Sequence, residues 1–307
     1  MFIFCCLCGA IVLEKNRVCG RNQKRDVHMP FKTIFITVSL TATLMCSASW
    51  AADAIKGDLP AVSAINGKIE LSAGWADIDP IDPTAVFHGG ASLSVPLGDR
   101  FGLQADIAAL SEFGDTYRGA ALHAFTRNPE SYLLGVTGGF GSANAATFSF
   151  IGPEAEFYAD RVSIEAYAGY MNLDVAGVQS SQFFGFGDVA YYADDNLRLS
   201  VGASTVAGFK SGHINGEWQL SDTGLPLSLT AEGRLGDSGL VTASLGLKLY
   251  FGAEDKTLIR RHREDDPRNR TLDIFNAAGT AFKQPQAGVP SGCPPGEVLI
   301  GESCVLN

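Results

Sequence analysis

Between residues 67 and 252 the chain alternates apolar and polar positions with a period of two. In 101–107, Leu103, Ala105 and Ile107 fall on one side while Gln104 and Asp106 fall on the other. The same reading holds for Val162, Ile164, Ala166 and Ala168 against Ser163, Glu165 and Tyr167, and for Leu197, Leu199 and Val201 against Arg198 and Ser200. A period of two is the mark of a strand whose faces meet different surroundings. Twelve such segments are read, near 67–79, 84–97, 101–113, 116–127, 131–141, 147–158, 161–174, 181–193, 197–208, 212–220, 227–236 and 240–252. Polar turn residues separate them. Gly98-Asp99-Arg100, Asn128-Pro129-Glu130, Ala159-Asp160-Arg161, Asp194-Asp195-Asn196 and 221–224 fall on one rim if every strand reverses. The opposite rim is expected to carry somewhat longer loops.

Alternation alone does not say which face is outside, since a soluble barrel or sandwich alternates too. Aromatic residues tilt the choice. Trp75, Phe87, Tyr117, Phe140, Phe148, Tyr170 and Phe183 gather near one rim, and Phe101, Tyr132, Tyr158, Tyr191, Trp218 and Phe251 near the other. Two such girdles mark the two interfaces of a bilayer. An export signal agrees with this. It starts at Met29, with Lys32, an apolar stretch over 33–45, and small residues Ser49 and Ala51 before a cleavage point. Residues 1–28, with Cys5, Cys6, Cys8 and Cys19, read as an over-long start or an extended basic lead to that signal.

The last segment is the most specific. Ser244, Gly246, Leu249 and Phe251 follow the order polar, Gly, apolar, aromatic. This resembles the closing-strand signal that the barrel assembly machinery of bacterial outer membranes recognises. With the export signal and short turns, residues 52–252 resemble porin-like outer-membrane proteins, in particular the small ones of alphaproteobacteria. The resemblance implies an all-β, antiparallel, up-and-down transmembrane β-barrel of about 12 strands, with 10 or 14 as alternatives, in a bacterial outer membrane. It departs from that pattern in one respect: the aromatic normally ends the chain, and here residues follow Phe251. The expected organisation is a signal segment over 1–51, a periplasmic lead-in over 52–66, the barrel over 67–252, and a periplasmic tail over 253–307.

Within the tail, 254–270 is densely charged and reads as a solvated linker, 271–282 as a short helix, and 285–295 as a Pro/Gly-punctuated linker. Cys293 and Cys304 pair most simply as one disulfide closing a small loop.

If the apolar face meets lipid, parity gives the inward set. Its acids are Glu70, Asp106, Glu154, Glu156, Glu165, Asp188, Glu217 and Glu232; its bases are Lys68, Arg118, Arg198, Arg234 and Lys248. Eight acids against five bases favour cations modestly. Twelve tilted strands give a backbone radius of roughly 12 Å, much of it consumed by side chains, so a narrow passage for small solutes or ions is expected. The alternative is a sealed barrel whose inner charges pair across the lumen.

The formal charge of -10 argues against nucleic acid as a partner. Membrane lipid, the assembly machinery and small solutes are the expected partners; the apolar belt fits a homo-oligomer as well as a monomer. Catalysis is not expected. His88 and Ser92 share a strand face but stand roughly 13 Å apart. His123, His213 and His262 lack metal-ligand spacing, and no cofactor or metal is implied.

Overall fold

The computed structural model describes residues 59–79, 81–143, 146–175, 177–220, 225–252, 256–281, 297–300 and 303–306. The export signal and Cys293 lie outside these residues. Twelve strands run in chain order: β1 (Asn66–Ile78), β2 (Ile81–Leu97), β3 (Phe101–Glu112), β4 (Asp115–Asn128), β5 (Tyr132–Ala143), β6 (Ala146–Ala159), β7 (Val162–Val175), β8 (Val178–Asp194), β9 (Leu197–Val206), β10 (Phe209–Leu220), β11 (Leu227–Gly236) and β12 (Val241–Phe251). Each pairs antiparallel with its neighbours, and β12 pairs with β1 to close the barrel. Closure satisfies every strand edge, the condition for crossing lipid with strands. Helices α1 (Leu258–Glu264) and α2 (Arg270–Ala281) follow, then the β13 (Glu297–Ile300) and β14 (Ser303–Leu306) hairpin. No helix among the described residues is long and apolar enough to cross a membrane.

The barrel is inside-out relative to a water-soluble one. On β3, Ile107 is 60% exposed while the adjacent Asp106 is 1% exposed. Leu71, Leu122, Ile151, Ile214 and Leu245 also project outward at mid-strand, while Gln104, His123, Glu154 and Arg198 are buried inside. An apolar belt of this kind is stable only against hydrocarbon. Trp75, Phe87, Phe140, Tyr170 and Phe183 ring it at one rim, and Phe101, Phe157, Tyr191, Trp218 and Phe251 at the other.

Three expected girdle members turn inward instead. Tyr117, Phe148 and Tyr158 are buried in the lumen, and at the β6 end Phe157 takes the outward place. The expected longer loops also contract. Among the described residues of that rim, 113–114 and 207–208 form two-residue turns, and the strands run on past the girdle, β2 and β8 reaching 17 residues each. Phe113-Gly114 and Ala207-Gly208 have positive φ at both central positions, the geometry that matches strand twist in two-residue hairpins.

At the closing seam, β-carbon space is absent at Gly246. A Cβ there would stand 2.6 Å from Ser72 Cβ and from Thr230 Oγ1. The small residue of the closing-strand pattern therefore lets β12 fit between β1 and β11.

Candidate functional site

The lumen is occupied by the chain's own C-terminal segment. The expected solvated linker is absent as such: its described part, 256–270, runs into the barrel and continues as α2. Charge alone misplaced it, because these charges meet partners rather than water.

The path can be followed from one rim to the other. At the rim where β12 ends, Gln219 donates to Lys256 O at 2.8 Å and Leu258 N donates to Asn196 Oδ1 at 3.1 Å. Ser63 and Lys256 both hold Asp265, and Arg263 reaches Val162 O at the start of β7. Further in, Pro267 O accepts from Lys68 and Gln104. Arg268 meets Glu165 at 3.2 Å and Asp188 at 3.1 Å. Arg270 meets Glu154 at 3.2 Å and Glu156 at 3.5 Å, and Asp273 caps both arginines. Near the opposite rim, Phe275 packs edge-on against Phe148 at 5.8 Å and against Tyr117 at 6.2 Å, and Asn276 bonds His88 at 2.8 Å.

Burying these ions costs several kcal/mol each before pairing. The wall offsets this with a connected network. Arg198 meets Glu165 at 2.6 Å, His213 meets Asp188 at 2.8 Å, and His123 lies between Asp106 at 2.6 Å and Glu154 at 3.0 Å. Lys248 bridges Glu217 at 2.9 Å and Glu70 at 3.5 Å. Tyr167 lies under the Arg270 guanidinium at 5.6 Å. Backbone space is cut for the plug as well: a Cβ on Gly119 would stand 2.9 Å from the Phe275 ring, and one on Gly90 2.8 Å from Asn269.

Two plug groups, His262 and Asp266, are both pushed toward their neutral forms. Burial holds His262 down to about 4 although Glu217 pulls it upward; Tyr192 and Tyr250 hydroxyls bracket its ring at 2.9 and 3.0 Å. Burial pushes Asp266 up to about 6 against the pull of Lys68, and neither carboxylate oxygen has a hydrogen-bond partner among the described atoms.

Of the expected inward charges, Lys68, Glu70, Asp106, Glu154, Glu156, Glu165, Asp188, Arg198, Glu217, Glu232, Arg234 and Lys248 face the lumen. Arg118 does not. It is exposed, beside a groove at the rim, because β4 points Tyr117, His123, Phe125 and Arg127 inward. The network also recruits Ser94, Gln104, Thr137 and His213, polar groups on the same inward parity, and Arg268 and Arg270 from the plug.

Thr137 Oγ1, His123 and Asp106 stand in hydroxyl–imidazole–carboxylate order, with Thr137 to His123 at 2.8 Å. All three are buried, and the Thr137 hydroxyl also donates to Glu154 at 2.8 Å.

Space left open beside the plug lies mainly along β1, β2 and β10–β12 and reaches Glu156, Glu165 and Arg198 on β6, β7 and β9. A cavity of about 130 Å³ is lined by seven carboxylates, among them Glu70, Glu217, Glu232 and Asp266, against four Lys/Arg. A smaller void of about 20 Å³ continues toward Trp75, Glu112 and Arg234, sharing His88, Ser244 and Asn276 with the first.

No protein-family model matches the chain, and no curated protein matches it in sequence. Among solved structures, the KdgM porin in complex with disordered oligogalacturonate is similar over 60% of this chain and 99% of its own, at 8% identity and TM-score 0.46. The NanC porin is similar over 59% and 98%, at 7% identity and TM-score 0.46. Outer membrane phospholipase A from Escherichia coli is similar over 64% and 93%, at 12% identity and TM-score 0.43. By its closed antiparallel sheet and outward apolar belt, the fold is a transmembrane β-barrel of the outer-membrane type.

Proposed function

We propose that this chain is a narrow, weakly cation-preferring channel for small solutes or ions, held closed at rest by its own C-terminal segment. The observation that carries this reading is the fit of 256–281 to the lumen: two arginines ion-paired to four wall carboxylates, and an apolar helix face seated on wall aromatics. The residual cavity supports the cation preference, since its lining has an excess of carboxylates. The belt would be solvated by lipid, β12 would serve the assembly machinery, and no cofactor, catalytic group or nucleic acid takes part.

Single-channel recording tests this. The full chain and a variant ending at Gly252 are compared in planar bilayers under a KCl gradient, with heat-modifiable gel mobility confirming folded barrels. Expected are small or rare cation-selective steps for the full chain, and steady, several-fold larger steps without the plug. Equal conductance of the two would overturn the reading. Silence of the full chain with steps from the shortened one would favour a sealed barrel instead.

A further inference from the structure

The plug has a direction. Its contacts run in chain order from one rim to the other: Lys256 sits with Gln219, one residue from the end of β10, and Arg263 with Val162, the first residue of β7. Arg270 sits at mid-lumen with Glu154. Phe275 sits between Tyr117 and Phe148, each two residues from the opposite end of its strand. A helix rises 1.5 Å per residue, so the six residues of α2 beyond Phe275 carry the chain on by about 9 Å, to the rim opposite the one it entered.

Along this path the described part of the plug leaves a cavity of about 130 Å³ beside it.

The entry rim is the periplasmic one. Both β1 and β12 open and close the barrel there, and a chain inserted from the periplasm as successive hairpins keeps both barrel ends on that side. The opposite rim faces outward.

We propose that the chain threads its own barrel, so that the β13–β14 hairpin is displayed at the outer face of the membrane rather than in the periplasm. The hairpin pairs Leu299 with Cys304 and Val298 with Val305, so it is a two-stranded unit that can be presented as one piece. The barrel then has a second role, as the anchor and conduit of a surface-displayed element. This rests on the plug reading and goes beyond it, since a plug could close a channel whichever side its end reached.

The test is accessibility on intact cells. An epitope is appended after Asn307 in the full chain, expressed in a Gram-negative host, and only heat-modifiable, folded barrel is scored. The expected result is equal antibody binding before and after the outer membrane is permeabilised. Binding only after permeabilisation overturns the proposal, while a rise of conductance on removing the plug would still leave the plug reading standing. A second measurement avoids the bulk of the tag. In a Cys293→Ser background, a membrane-impermeant maleimide is expected to label Cys304 on intact cells, and the signal to vanish in Cys304→Ser. Labelling confined to lysed cells overturns the display.

Discussion

The two walls of the lumen differ in what they do to the same plug. Toward β4–β8, the half of the lumen far from the end of β12 is dry: Tyr117, Phe148, Phe150, Tyr167, Met171, Leu173, Phe184 and Phe186 are buried with Leu272, Ile274 and Phe275 of α2 in one apolar cluster. Toward β1, β2 and β10–β12 Glu70, Glu232 and Lys248 line unfilled space beside the plug, and Glu217 approaches His262 at 3.6 Å. The dry wall supplies close packing, which fixes the position of a helix. The wet wall supplies charges that tolerate solvent, and under the proposed function it is the side along which ions pass. On that reading the barrel is closed and anchored on one side and keeps a narrow conduit on the other.

The comparison breaks most severely at Arg270. Arg270→Ala leaves Glu156 buried without its ion pair and Glu154 with His123 alone, a loss of about 3–5 kcal/mol for one broken buried pair. The closed-to-open ratio should fall on the order of a hundredfold or more, read as open probability in single-channel records. Adding Glu154→Gln and Glu156→Gln should restore part of it. Phe275→Ala removes the anchor on the dry wall and should cost about 3–5 kcal/mol or somewhat less, since water can enter the space. Its signature should be opening without change of selectivity, because the carboxylates of the wet wall are untouched.

Next in size are two opposed pH effects within the plug. The docked plug holds Asp266 at about 6, above the ordinary 3.8, so docking favours its protonated form. That contribution is complete below about 3.8 and is lost as pH rises to 6. Lys68, Arg127, Arg261 and Asp265 face it. His262 is held at about 4, below 6.5, so docking favours the neutral ring. Its contribution is complete above 6.5 and is lost as pH falls to 4, with Glu217, Arg198 and Lys248 facing it. The two slopes offset each other in the parent chain. Asp266→Asn should therefore make the channel open on acidification through 6.5 to 4 more steeply than the parent. His262→Gln should shift the balance toward opening as pH rises from 3.8 to 6. Open probability against pH distinguishes them, and parallel profiles in both variants would contradict the assignment.

The smallest expected effect sharpens the wet wall. Glu70→Gln and Glu232→Gln should lower cation selectivity about twofold in reversal-potential measurements while leaving the plug seated, because neither carboxylate bonds the plug.

Much of the barrel is legible from residue order. β3 reads correctly because Leu103, Ala105 and Ile107 differ so clearly from Gln104 and Asp106 that lipid and lumen can be told apart one residue at a time. β4 is harder. Arg118 looks like a lumen charge, yet near a strand end an arginine can face outward toward headgroups and water, and Tyr117 then takes the inside. Tyr117, Phe148 and Tyr158 look like girdle members because a wet lumen has no use for them. They turn inward because the lumen holds an apolar helix and a cationic segment: Phe275 packs on the first two, and Arg263 lies over Tyr158 at 5.0 Å. The plug itself had one sequence signal. The expected inward set carries eight acids against five bases, four once Arg118 is placed outside, an imbalance that Arg268 and Arg270 reduce.

Residue order alone determined the period, the strand limits to within a few residues, the belt, the closing strand and the helix after residue 270. These are local properties: strand alternation and helix formation depend on neighbours a few positions away. Only the tertiary structure decided that the tail fills the barrel. Arg270 and Glu154 are 116 positions apart, and His88 and Asn276 are 188 apart. Whether a charged segment is solvated or ion-paired depends on which partners the fold brings within about 3 Å, and that distance is set by closure of the barrel around it.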